Sequence, residues 1–246
     1  MASSDALLVF AKAPIPGRVK TRLLRCVSAP TAAAIHKACV KDTLHLAHQI
    51  AGCDVFVFAS GGLSFFRTQH RRHLHETFRR VRRVLPQRGR DLGARLENAF
   101  RKIFQMGYRR VVVIGTDTPW MGPARVQRAF QNLTGADVVV GPCEDGGYYL
   151  LGARRFLPDL FRGIPWGTSR VCKATLRAAA SCGARKHVLS LDFDLDRPRD
   201  LRRVDKMLSL RPGRAPQLAE LLKILSCGKG VTPGERSRGA RRRRLR

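Results

Sequence analysis

Short β-branched runs alternate with stretches of helical periodicity along most of the chain. Residues 6–11 (ALLVFA), 53–59 (CDVFVFA) and 111–114 (VVVI) are apolar on both sides. Runs of this kind predict buried parallel strands. Residues 80–85, 136–140, 148–152 and 187–191 read as further strands. Between them, residues 30–49 have helical spacing, with Ile35, Cys39, Leu46 and Ile50 inward. Residues 64–76 and 123–133 are also helical by pattern. The clearest helix is 91–106, with Leu92, Leu96, Ala99, Phe100, Ile103 and Phe104 on one face and Asp91 as its cap. Residues 156–161 are a short helix or turn. Thr168 or Ser169 then predicts a cap for a helix running to Ala180. Pro198 opens a helix carrying Leu201, Val204, Met207 and Leu208, and a short apolar helix follows at 218–225.

At 246 residues and 44% apolar content, the chain suffices for one sizeable α/β domain. No apolar stretch approaches the length of a membrane span. The N-terminal residues read as a first strand, not as a signal peptide. The 7 cysteines (Cys26, Cys39, Cys53, Cys143, Cys172, Cys182 and Cys227) are scattered and form no CxxC pair. They predict free thiols in a cytoplasmic protein without a zinc site. The formal net charge of +29 comes from 47 Lys plus Arg against 18 acids. A general preference for arginine and a polyanion-binding role both account for it. Residues 228–246 are rich in Gly, Ser and Arg and end in RRRRLR, which predicts a disordered tail open to non-specific polyanion contact.

The chemistry gathers at strand ends. Asp117 follows the 111–114 run within Gly115-Thr116-Asp117-Thr118-Pro119. In an open α/β sheet, ligands bind at the carboxyl ends of strands, so Asp117 is a candidate metal ligand, directly or beside phosphate. Glu144-Asp145-Gly146-Gly147-Tyr148-Tyr149 follows the 138–140 run and sets acids beside backbone that a ligand can approach closely. Two ordinary turns would look the same. After the first strand, a Pro/Gly-shaped loop around Gly17 carries Lys12, Arg18, Lys20 and Arg22, which suits an anionic diphosphate or triphosphate. A solvated basic loop is the alternative. Neither a GxxxxGK[ST] nor a GxGxxG run is present. His70, His73 and His75 lack metalloprotease spacing and read as surface histidines. Gly93 permits close approach to a helix start, where Arg95 is within reach of an anion. Trp166 stacks either on a base or in the core. Asp192, Asp194 and Asp196 alternate along an extended segment, which points them to one side towards a cation or arginines, or else they cap the helix that follows.

Six segments, in order between residues 6 and 208, resemble the glycosyltransferase-A-like family associated with arsenosugar biosynthesis and radical-SAM gene neighbourhoods. They are AKAPIPGRVKTRL, the segment from Gly89 to Arg95, Gly115 to Pro119, Gly141 to Gly152, Trp166-Gly167-Thr168, and Asp194 to Leu201. That family is a relative of the molybdenum-cofactor and phospholactate guanylyltransferases. Ala94, Trp120 and the basic tail depart from its pattern.

The resemblance implies a three-layer α/β/α Rossmann-like sandwich with a mixed central sheet, of the nucleotide-diphospho-sugar transferase type. Residues 1–210 would be the transferase domain, 211–227 a short helical extension and 228–246 the tail. It implies Mg or Mn held by Asp117 with Asp194 and Asp196. Lys12, Gly17, Arg18, Lys20, Arg22, Arg95 and Thr116 would hold nucleotide and phosphate. Glu144, Gly146, Gly147, Tyr148, Trp166 and Thr168 would hold substrate, and Asp145 would be a base beside the acceptor. The implied activity is sugar transfer from a nucleotide-sugar to a small acceptor. The alternative is nucleotidyl transfer from an NTP with release of pyrophosphate, and a non-catalytic nucleic-acid-binding protein is the third class.

Overall fold

A computed structural model describes residues 3–72, 81–211 and 213–227. The expected end of the second helix at 76, His73, His75 and the basic tail lie outside the described residues, as does the side chain of His70.

The strands are β1 (Asp5–Lys12), β2 (Asp54–Ser60), β3 (Val81–Pro86), β4 (Arg110–Ile114), β5 (Val138–Pro142), β6 (Tyr148–Ala153) and β7 (Lys186–Val188). The helices are α1 (Ala29–His48), α2 (Leu63–Arg72), α3 (Leu92–Gln105), α4 (Pro123–Asn132), α5 (Val171–Ser181), α6 (Pro198–Leu210) and α7 (Pro216–Cys227). One sheet of 7 strands runs β3-β2-β1-β4-β6-β5-β7. Strand β6 is antiparallel to both its neighbours and the other pairs are parallel, so the sheet is mixed as expected.

The apolar runs are uniform because the central strands are covered on both faces. In β1, Leu7, Val9 and Ala11 face a core shared with α1 and α4, while Ala6 and Leu8 face one shared with α3. A third cluster joins α1, α6 and α7 through Ile35, Cys39, Val204 and Leu218. Helix α1 therefore buries two sides, the sheet side and the α7 side. Its Asp42 accepts from the first amides of α7, Gln217 N at 3.0 Å and Leu218 N at 2.9 Å. Among the described residues, no helix is long and apolar enough to cross a membrane.

Three local expectations change. Helix α5 starts at Val171, and its N-cap Arg170 makes no side-chain cap bond. Thr168 instead closes a turn, donating to Pro165 O at 2.8 Å and accepting from Arg170 N at 3.2 Å. Strand β7 stops at Val188, and the chain beyond it pairs with Cys143 through Asp192. Leu92 is 46% exposed because it opens α3 ahead of the apolar face. Asp91 does cap that helix, accepting from Ala94 N at 2.8 Å.

Candidate active site

Strand order sets the place. From β1, the chain crosses to β2 on one side, whereas β4 lies on the other. The carboxyl ends of β1 and β4 thus flank a topological switch point, where the crevice of an open α/β sheet opens. The loop 13–20 leaves one end and Gly115–Thr118 leaves the other. Ala13 N is held by Ser60 O at 2.8 Å and Arg18 N by Ile15 O at 3.0 Å, with Gly17 turning at φ +77°. Lys20 is left-handed at φ 48°, a conformation that costs a non-glycine residue about 1–2 kcal/mol. Its ammonium donates to Asp117 Oδ1 at 2.5 Å and also to Leu195 O, which offsets that strain.

Burial would lower the Lys20 pKa, but the Asp117 carboxylate beside it raises it, so the ammonium persists. Burial in turn works to raise Asp117, and Lys20 overrides it and holds the carboxyl below the usual range. The pair is asymmetric, with the Lys20 side chain 4% exposed and that of Asp117 50% exposed. Asp117 therefore keeps an open face while Lys20 is committed to protein. Lys20, expected at a phosphate, has its ammonium engaged by Asp117 and Leu195 O. Arg22 is likewise taken, by an ion pair with Asp196. Lys12 and Arg18 are exposed and have no acidic partner among the described residues. Beneath the loop, His36 Nε2 lies 3.1 Å from Lys12 O. Burial lowers its pKa, so the neutral ring donates there, and Nδ1 is buried without a partner.

The three alternating acids part company. Asp192 pairs with Arg125 and accepts from Trp120 Nε1 at 3.2 Å. Asp196 turns to Arg22. Asp194 turns to neither arginine, accepting instead from Thr118 Oγ1 at 2.7 Å and Cys143 Sγ at 3.1 Å. The expected single row is absent because the segment is not a regular strand, and Asp196, expected at the metal, is ion-paired with Arg22. Burial, then the charge of Asp117, pushes Asp194 up to about 6. Cys143, Asp145 and Asp194 offer ligand atoms within 4.8 Å of one another. Burial, followed by Asp194, raises the Cys143 thiol far above its ordinary value, so it serves as a donor. What remains of that group is the two carboxylates Asp145 and Asp194, with Asp117 near enough to act on the charge of Asp194, and oxygens of this kind suit a hard divalent cation.

Other expected residues settle nearby. Asp145 is exposed and holds its own turn, accepting from Gly147 N at 2.8 Å. Gly146, at φ +87°, lets the loop press on the turn ahead of α5. A Cβ there would stand 2.0 Å from Ser169 O. Thr116 is buried at 4% exposure. Glu144 is bidentate with Arg203, at 2.6 and 2.7 Å, and faces away from Asp194. Arg95 donates to Gly89 O at 3.1 Å, bracing its own loop. Trp166 donates to Phe161 O at 3.3 Å and meets the Tyr148 ring edge-on, with centroids 6.3 Å apart. It also lies against Gly93, so the close approach foreseen at that glycine is made by the chain's own tryptophan. Tyr148 Oη is buried without a partner. The sequence reading passed over His36, Thr118 and Cys143. A histidine inside the apolar stretch AAAIHKAC was the one local signal for His36.

This mixed sheet with helices on both faces is the α/β fold of nucleotide-diphospho-sugar transferases and nucleotidyltransferases. The chain belongs to the family described as "Uncharacterized protein conserved in bacteria (DUF2064)", matched over residues 43–168. It is similar to a Desulfovibrio desulfuricans G20 protein provisionally described as a nucleotide-diphospho-sugar transferase. Identity is 31%, coverage 92% of this chain and 96% of that one, and the TM-score 0.83. Two more distant structures share the fold. One is 4-diphosphocytidyl-2C-methyl-D-erythritol synthase, with 13% identity, coverage of 85% and 99%, and TM-score 0.54. The other is the Mycobacterium tuberculosis H37Rv protein Rv0371c in complex with manganese, with 18% identity, coverage of 83% and 98%, and TM-score 0.51. No curated protein matches the chain.

Proposed function

We propose that this chain is a divalent-cation-dependent transferase that moves a sugar from a nucleotide-diphospho-sugar to a small acceptor. The observation that carries the reading is the meeting of Asp117 and Asp194 at the switch point, with Lys12, at the end of β1, and Arg18, on the adjoining loop, in no ion pair among the described residues. Two carboxylates close enough to raise the pKa of one of them favour a cation between them. Mg or Mn, when bound, would neutralise charge on the departing nucleoside diphosphate. Asp117 and Asp194 would hold it, and Lys12 and Arg18 would take the remaining phosphate oxygens. His36 keeps the Lys12 carbonyl in place, which fixes the start of that loop. Asp145 stands at the exposed edge, in place to accept the acceptor hydroxyl's proton.

The D. desulfuricans relative supports this reading, as do the six segments shared with the arsenosugar-associated family. The free thiols among the described residues fit a reducing compartment, the cytoplasm. Residues 1–210 would form the transferase domain, and the tail would add at most non-specific polyanion contact. Nucleotidyl transfer is the second reading. The unpaired cations at the mouth of β1 favour it, because they also suit a triphosphate.

A panel of UDP-sugars, GDP-sugars and NTPs, with Mg or Mn and with neither, separates these. Release of a nucleoside diphosphate from a sugar donor supports the first reading, and pyrophosphate release from an NTP replaces it with the second. The metal assignment is tested by Asp117→Asn, which leaves an oxygen for the buried Lys20 ammonium. Metal-supported nucleotide affinity should disappear in this variant while the thermal unfolding midpoint moves little. Unchanged metal-supported affinity would sink the assignment.

A further inference from the structure

We propose that the cleft behind the acid cluster is a binding site for a small oxyanion, a phosphate or a carboxylate, separate from the nucleotide site. The 142–145 segment and the chain around Asp192 run side by side, with Glu144 N donating to Asp192 O at 2.9 Å and Asp192 N to Pro142 O at 3.1 Å. Cys143 and Asp145 turn towards Asp194, whereas Glu144, between them, turns to Arg203 on α6. Asp192 turns to Arg125 on α4. These outward residues line a cleft of about 440 Å³, room for a small molecule, and Trp120, Phe193, Arg211 and Arg214 also border it.

Charge identifies the ligand class. Four arginines and two acids line the cleft. Both acids are spent, Asp192 on Arg125 and Glu144 on Arg203. Arg203 is further committed by lying over the Phe193 ring, 3.6 Å from its centroid. Arg211 and Arg214 are left with no acidic partner within 4 Å among the described residues. The Arg214 guanidinium lies against Gly122, its Nη1 1.5 Å from where a Cβ on that glycine would stand. Gly122 begins α4, whose first turn holds no acid and no side-chain cap. A cation resting at the positive end of a helix dipole is electrostatically unfavourable unless an anion joins it. Two forked guanidiniums suit the planar or tetrahedral oxygens of a carboxylate or phosphate. The Trp120–Phe193 stack, with centroids 4.8 Å apart, gives an apolar wall for the rest of such a molecule.

The proposal does not depend on the transfer chemistry, and Trp120 supplies a local reporter. The chain has 2 tryptophans, so Trp166→Phe leaves Trp120 as the sole source of indole emission. In that full-length background, inorganic phosphate and benzoate are titrated separately at about 0.15 M salt, where long-range attraction is screened. A saturable change with phosphate identifies phosphate as the source, and one with benzoate alone identifies carboxylate. Adding Arg211→Gln and Arg214→Gln should weaken that binding at least tenfold. Adding Arg128→Gln and Arg177→Gln, an equal charge change on exposed arginines elsewhere, should alter it less than twofold. Nucleotide binding measured by calorimetry should persist in the Arg211/Arg214 variant, which keeps this site distinct from the proposed transfer site. No saturable response to either anion, or equal losses in the two double variants, would overturn the proposal.

Discussion

Gly93→Ala sets two well-measured effects against each other. Gly93 lies in the first turn of α3, where alanine is worth about 1 kcal/mol more than glycine by helix propensity. Propensity alone therefore makes the substitution stabilising. The structure says otherwise. The new Cβ would stand 2.2 Å from Trp166 Nε1, 2.7 Å from Phe161 O and 2.8 Å from Trp166 Cε2. Comfortable carbon contacts begin near ~3.5 Å, so the indole must retreat by more than about 1 Å. That motion breaks the 3.3 Å bond from Trp166 Nε1 to Phe161 O. The lost bond costs about 1 kcal/mol and the overpacking about 1–3 kcal/mol. After the propensity gain, the expected net loss is roughly 1–3 kcal/mol. A double-mutant cycle isolates the cause. In a Trp166→Ala background most of the clash is gone, and Gly93→Ala should be close to neutral. The coupling should reach about 2 kcal/mol, far above the ~0.5 kcal/mol expected of independent sites. Urea unfolding of the four proteins, followed by far-UV circular dichroism, supplies the numbers. A Gly93→Ala protein at least as stable as the parent, or a coupling below about 0.5 kcal/mol, would refute the packing argument.

Lys20→Met should cost roughly 2 kcal/mol at pH 7, below the 3–5 kcal/mol of a fully buried pair, because the stranded Asp117 keeps half its surface in water. Asp117 is depressed in the fold, so the contribution of the pair is present above the unfolded carboxyl pKa and fades as pH falls through the folded one. The gap between parent and variant should close below about pH 4, and a gap constant down to pH 2 would contradict the pair. Asp42 has the opposite sign. Burial, against the two α7 amides it accepts from, pushes it up to about 6 from an ordinary 3.8. The folded state then binds more protons between these values, and the contribution of Asp42 to stability falls as pH rises through that window. The stability advantage of the parent over Asp42→Asn should shrink by on the order of 2 kcal/mol from pH 4 to pH 7. An advantage that grew with pH in urea melts would reverse the sign and the argument.

What the sequence showed and what it hid divide along a physical line. Strands β1, β2 and β4 were legible because both their faces are buried, which leaves unbroken β-branched runs. The Asp91 cap was legible because capping is local, spanning three residues from Asp91 to Ala94. Strand β7 was overextended because it lies at the sheet edge with all three residues exposed, where no burial pattern marks its end. The acids Asp192, Asp194 and Asp196 were assigned one direction by the alternation of an ideal strand. Their directions are set instead by Arg125, Thr118 and Arg22, three partners from three other parts of the chain.

The same holds for the centre of the site. Lys20 and Asp117 are 97 residues apart, and no local spacing joins them. They meet because β1 and β4 are neighbours, a fact of strand order that neither segment carries alone. Cation clustering after β1 therefore marked the loop that carries Lys20 but could not say which member meets Asp117. Lys20 points inward because a left-handed turn at that residue aims it under Asp117, while Lys12 and Arg18, on either side of Gly17, stay in solvent. The division between the buried lysine and the exposed cations of this loop is thus made by one backbone conformation. A composition count treats all four alike, and only the fold separates the buried lysine paired with Asp117 from the exposed Lys12 and Arg18.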